Sequence, residues 1–139
     1  MRYLSILFLS ACLFAACSGS KNVETQNVQQ APCTNQTKNT NNKFLGETVE
    51  NFRVVQQGDM VYAEMDVNTT CDAKIGFNVD QKSKEVRLKL NKTGSTAGDC
   101  LCKIHVTTNI ANLDNGDYDF LVTDNTGYKM LAEQKTTVK

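Results

Sequence analysis

Of the six cysteines in this chain, four lie beyond Cys17: Cys33, Cys71, Cys100 and Cys102. Thiols of this kind close as disulfides outside the cytoplasm, bind zinc as thiolates, or cycle as a redox pair. Structural zinc favours C-x2–4-C spacing, which Cys100-Leu101-Cys102 does not supply. That C-x-C pair also lacks the C-x-x-C setting at a helix terminus that lowers a thiol pKa. Disulfides are therefore the expected state, and four cysteines leave three connectivities open. His105 is the only histidine and falls on the outward register between Lys103 and Thr107, where a solvated side chain is expected. Asp114, Asp117 and Asp119 offer hard oxygen ligands suited to calcium, but their spacing is not that of a D-x-[DN]-x-[DN]-G loop, and turn chemistry accounts for them. Nothing resembles a nucleophile elbow, a phosphate loop or a zinc-hydrolase motif. The expectation is a protein with no catalytic residues, no cofactor and no metal, and so not an enzyme.

Charge excludes a further class. Lysine plus arginine equals aspartate plus glutamate at 15 each, and the signs are interspersed, so no polyanion-binding surface is marked and nucleic acid is not an expected partner. The densest basic stretch, Lys82 to Lys92, alternates Lys84, Arg87 and Lys89 with Val86, Leu88 and Leu90, as the solvated face of a strand would.

The elements that must position these residues begin with an export signal. Arg2, the apolar run Tyr3 to Phe14 and then Phe14-Ala15-Ala16-Cys17 resemble a bacterial lipoprotein signal. The apolar stretch is too short for a membrane span, which needs about 20 residues. The resemblance implies cleavage after residue 16, a diacylglyceryl thioether on Cys17 and membrane attachment through lipid. Leu9-Ser10-Ala11-Cys12 is a second candidate, disfavoured because cutting before Cys12 leaves an apolar core at the short end of the signal range. Ser18 after the lipidated cysteine implies, by analogy with enteric bacteria, delivery to the outer membrane within the cell envelope.

Residues 17–43 are almost wholly polar, as in Asn35-Gln36-Thr37-Lys38-Asn39-Thr40, with too little apolar surface to offset the entropy of ordering. They read as a flexible tether of roughly 25–30 Å span. Cys33 is the exception within it, best explained as a disulfide partner of the domain. From Phe44 to Lys139 the apolar pattern has period two: Val61, Ala63, Met65 and Val67; Ile75, Phe77 and Val79; Val86, Leu88 and Leu90; Ile104, Val106 and Ile110; Tyr118, Phe120 and Val122; Tyr128, Met130 and Ala132. With a strand near Thr48–Val55 this makes seven, separated by turns such as Gln57-Gly58-Asp59 and Asn125-Thr126-Gly127. An all-β, seven-stranded antiparallel β-sandwich of immunoglobulin or fibronectin type III kind is expected.

Asp114-Asn115-Gly116-Asp117-Tyr118 resembles the D-x-G-x-Y-x-C corner of immunoglobulin-like domains, which makes Asp114, Gly116 and Tyr118 a structural corner with the tyrosine hydroxyl bonded to upstream backbone. Phe120 stands where that family has its second cysteine, and no tryptophan is present. Cys100 to Val122 also resembles small lipoproteins of Bacteroidota, and Leu113 to Lys139 resembles secreted C-terminal sorting domains, without their cargo. In the immunoglobulin arrangement strands B and E are antiparallel, so the resemblance implies a Cys71–Cys102 bond, with Cys33 left for Cys100. The function expected is a non-enzymatic interaction or structural module, lipid-anchored in the envelope, that binds an envelope or surface protein through exposed strands or loops. The alternative is a module for a small ligand, a glycan or calcium.

Overall fold

The computed structural model describes residues 22–38, 46–94 and 100–139. Cys12, Cys17 and the expected boundary at Phe44 lie outside them. The elements are β1 Glu24–Gln30, β2 Thr34–Lys38, β3 Thr48–Gln57, β4 Met60–Thr70, β5 Lys74–Lys82, β6 Glu85–Thr93, β7 Cys100–Ala111, β8 Gly116–Thr123 and β9 Met130–Val138. They form two sheets, β1-β7-β4-β3 with β2 also on β7, and β5-β6-β8-β9. No helix among the described residues is long and apolar enough to cross a membrane.

Period-two alternation explains the core. Val61, Ala63, Met65 and Val67 on β4 and Ile104, Val106 and Ile110 on β7 are buried, and they face Val86, Leu88 and Leu90 of β6 and Phe120 and Val122 of β8. Burying such side chains between two sheets is the main favourable term, about 1.5–3 kcal/mol for each large one. The outward residues of β4 and β7 carry the charges instead.

The sandwich differs from the expected one in three ways. First, it has nine described strands rather than seven, because the stretch read as tether supplies β1 and β2. Both pair antiparallel with β7, from Glu24 opposite Ala111 to Lys38 opposite Cys100. These strands bury little, and backbone ladders hold them, which a hydropathy pattern does not register. Second, β6 pairs parallel with β8, Glu85 beside Asp119 through Lys89 beside Thr123. A parallel pair requires a crossover, here made by β7 in the other sheet, so the arrangement is not specifically the seven-stranded immunoglobulin or fibronectin type III fold. Third, Tyr128 and Met130 are not inward residues of the last strand. Both are exposed, because β9 begins only at Met130 and its ladder with β8 shifts register between Val122 and Thr123.

Edge strands β1, β2 and β3 each contain a register shift, and a left-handed asparagine sits at each: Asn27 (φ 53°), Asn35 (φ 54°) and Asn51 (φ 52°). Asparagine tolerates that conformation better than most residues, and bulges blunt an edge against unwanted pairing. Glutamine side chains close the flanks further. The Gln30 amide donates to Ala73 O at 2.8 Å and accepts from Ile75 N–H at 3.0 Å, joining the ends of β1 and β5. The Gln56 amide does the same with Lys139, at 2.6 and 2.8 Å.

The strands define two ends. At the near end lie Asn22 before β1, the β3–β4 turn at Gly58, the β5–β6 turn at Ser83 and the β7–β8 loop, where the Asn112 amide donates to Asn22 O at 2.9 Å. At the far end lie Glu47, the end of β4, the start of β7 and the β8–β9 hairpin.

Candidate interaction site at the far end

The far end gathers three features. The first is the hairpin that joins β8 to β9. Its sequence Asp124-Asn125-Thr126-Gly127 favours a turn, and Gly127 takes φ 81°, a conformation open to glycine at no steric cost. The Asp124 carboxylate accepts from Thr126 Oγ1 at 2.6 Å, Gly127 N–H at 3.0 Å and Lys129 N–H at 3.3 Å. Those bonds, the Thr126 hydroxyl foremost, hold its pKa below the ordinary 3.8 of an aspartate. Thr126 Oγ1 in turn accepts from Tyr128 N–H at 3.3 Å. The result is a fixed loop that presents Tyr128, 95% exposed, with Met130 beside it at 56%.

The second feature is a groove of about 280 Å³ beside the starts of β3 and β9, lined by Glu47, Leu90, Lys92, Asp124, Lys129 and Leu131 among others. Glu47 and Lys92 form an ion pair across it at 2.8 Å. The hairpin is therefore one wall of a cleft with an apolar floor and charged sides.

The third feature is the cysteines, which the structure joins as Cys33–Cys102 and Cys71–Cys100. The expected neighbourhood, the end of β4 beside the start of β7, is present, but the expected pairing is not. Thr69 lies opposite Cys102 and Thr70 opposite Leu101, so the next residue, Cys71, meets Cys100, and its N–H donates to Cys100 O at 3.1 Å. Cys102 is left for Cys33 of the N-terminal arm. Cys33, Cys71 and Cys100 are partly buried, while Cys102 is only 4% exposed. Among the described residues, the sulfurs of Cys33, Cys71 and Cys102 make the one cluster of metal-ligating groups, all within 4.8 Å of one another.

The remaining candidates lie elsewhere and apart. His105 is exposed on the outer face of the five-stranded sheet, its Nδ1 2.8 Å from Asp66 Oδ1. The Asn51 amide first, and His105 next, hold the Asp66 carboxyl below its usual range. Alongside, Lys103 pairs with Glu50 at 2.6 Å, so this face is a row of ion pairs across β3, β4 and β7. At the near end Asp117 accepts from Thr137 at 2.6 Å, and Asp119 pairs with Lys135 at 3.3 Å. Tyr118 is buried, and its hydroxyl contacts Lys84 Nζ at 3.3 Å, with that ammonium 4.4 Å from the ring centroid. The basic stretch of β6 is paired: Arg87 with Glu85, Lys89 with Asp80 and Lys92 with Glu47.

Tyr128 escaped the sequence reading because it fits the alternation of a strand. The signal that identifies it is its place directly after Asn125-Thr126-Gly127, which sets the residue on a hairpin tip. Protein-family models, curated proteins and solved structures were each compared with this chain, and none matches.

Proposed function

We propose that this chain is a lipid-anchored, non-enzymatic module of the bacterial cell envelope, attached to the outer membrane through Cys17, whose far end binds another envelope protein. The observation that carries this reading is Tyr128. An aromatic side chain almost wholly in water, on a loop already ordered by four hydrogen bonds, gives a partner a large apolar contact at small entropic cost, which is how binding hot spots are built. The groove beside it supplies a receptor for a partner side chain, and the Glu47–Lys92 pair supplies a polar rim.

The position of β1 supports the same orientation. Only residues 18–21 separate Cys17 from Asn22 at the near end, a stretch that reaches at most about 18 Å when extended. A lipid on Cys17 then keeps the near end by the headgroups and turns the hairpin away from them. Loop recognition replaces strand addition as the mode of binding, since bulges and glutamine amides occupy much of the sheet edges.

Two measurements test the reading. Metabolic labelling with an alkyne fatty acid is expected to mark the wild type and Cys12→Ala but not Cys17→Ala; the reverse moves the anchor to Cys12, and no label removes it. A photo-crosslinking amino acid placed at Tyr128 is expected to give a discrete protein adduct in intact cells, and one placed at Asn115 none. Equal adducts from both positions would defeat the far-end assignment.

A further inference from the structure

The cysteine cluster carries an inference independent of the hairpin. Two disulfides lie side by side, and three of their four sulfurs are within 4.8 Å of one another although only one pair of the three is bonded. Cys71 is the sulfur held against the other disulfide. Cys102 is almost inaccessible to solvent, whereas Cys33, Cys71 and Cys100 are partly exposed. A reagent from solution therefore meets the Cys71–Cys100 bond readily, while Cys102 is reached from inside, by Cys71.

We propose that the four cysteines form a thiol-accepting exchange site, in which a low-molecular-weight thiol is captured on Cys100 and the N-terminal arm is released at Cys33. Thiol–disulfide exchange proceeds by thiolate attack on one sulfur with the other leaving as thiolate. In the first step the incoming thiolate bonds to Cys100 Sγ, the Cys71–Cys100 bond breaks and its electron pair leaves on Cys71. In the second step the Cys71 thiolate bonds to Cys102 Sγ, the Cys33–Cys102 bond breaks and the pair leaves on Cys33, which takes up a proton from water. One external thiolate is consumed, one Cys33 thiolate appears, and the count of disulfide bonds rises by none: Cys100 carries the mixed bond, and Cys71–Cys102 replaces the two original links. Entry at Cys100 is the productive one because it frees Cys71, the sulfur that neighbours Cys102 and Cys33.

The release has a structural meaning. Cys33 stands between β1 and β2, and its bond to Cys102 is the covalent tie between that arm and β7. The new Cys71–Cys102 bond still joins the end of β4 to the start of β7, so the core remains braced while the arm keeps only its ladder. The site thus couples a thiol in the surroundings to the hold on the N-terminal arm.

The test uses the full-length chain in detergent with reduced glutathione as the probe, quenched in acid, alkylated and mapped by peptide mass spectrometry. Limiting glutathione is expected to give Cys71–Cys102 with glutathione on Cys100 and alkyl label on Cys33. Glutathione on Cys100 with all the label on Cys71 overturns the proposal, because the second step has then not occurred. The Cys100→Ser variant provides a second reading without any added thiol: label divided between Cys71 and Cys33 supports internal exchange, and label on Cys71 alone overturns it. If that variant fails to fold, the wild-type map decides. Protein isolated with all four cysteines as thiolates around stoichiometric zinc, and so with no disulfide for glutathione to open, also overturns the proposal in favour of a four-thiolate metal site.

Discussion

The side-chain amide of Gln134 pairs with Val54 as a neighbouring strand would: its Oε1 accepts the Val54 N–H at 2.8 Å, and its Nε2 donates to the Val54 carbonyl at 3.0 Å. Gln134 is on β9 and Val54 on β3, in different sheets, so this side chain bridges two edges, alongside Gln56 with Lys139. A partly buried amide of this kind is costly to remove, because the backbone groups it served are left unsatisfied. Gln134→Ala is expected to lower stability by about 1–3 kcal/mol in denaturant unfolding and to speed hydrogen exchange at the Val54 amide. Unchanged exchange there would show that the seam does not depend on the glutamine.

Gly94 tests the far end through the backbone. It takes φ 109°, and a Cβ built on it would stand 2.5 Å from Asp72 O. Gly94→Ala therefore meets both a strained conformation and a backbone atom that cannot move freely, and should cost at least about 1–3 kcal/mol. Thermal unfolding of the variant measures it; a loss below a few tenths of a kcal/mol would mean that the Asp72–Ala73 turn yields easily.

The two disulfides should contribute unequally. Cys33–Cys102 spans 69 residues and Cys71–Cys100 spans 29, and chain-entropy reasoning assigns more to the longer loop, with both near 4 kcal/mol and differing by roughly 1. The paired variant Cys33→Ala/Cys102→Ala is expected to lose more than Cys71→Ala/Cys100→Ala in urea unfolding. The opposite order would show that β1 and β2 add little to the folded unit.

Acid should loosen the hairpin late. The Asp124 carboxyl is held below 3.8, chiefly by the Thr126 hydroxyl and then by backbone N–H groups. A folded pKa depressed in this way contributes order that is complete above the ordinary value and is lost as the pH falls through the lowered one. An NMR titration should place the Asp124 midpoint below 3.8, with the Gly127 and Lys129 amide shifts moving in step. A midpoint at or above that value would remove Asp124 as the organiser of the loop.

Much of this fold was legible because β4, β6, β7 and β8 bury every second residue, and the alternation of Val61 to Val67 or Val86 to Leu90 states that directly. Glu24–Gln30 and Thr34–Lys38 were not legible as strands. They are held by ladders to β7, by the Gln30 amide and by Cys33, none of which requires apolar residues. The parallel pairing of β6 with β8 depends on the crossover through β7, which periodicity does not encode. Of the candidate site, the four cysteines and their neighbourhood were identified, whereas their pairing turned on a two-residue choice between Cys100 and Cys102 that only the β4–β7 register decides. Tyr128 was misplaced because β9 begins only at Met130, so the apolar alternation runs back past the strand into the hairpin.

Attachment through Cys17, as proposed, would also set how the domain bears load. A pull between a lipid on Cys17 and a partner at the hairpin acts along the strands, so β1 is drawn lengthwise against β7. Hydrogen bonds loaded in this direction share the tension and must fail together, unlike those of a strand peeled from its end one at a time. Should the β1 ladder slip, the chain pays out only as far as Cys33, where the bond to Cys102 halts it and passes the load to β7. Under that attachment the polar arm would act as a tensile member with a covalent stop.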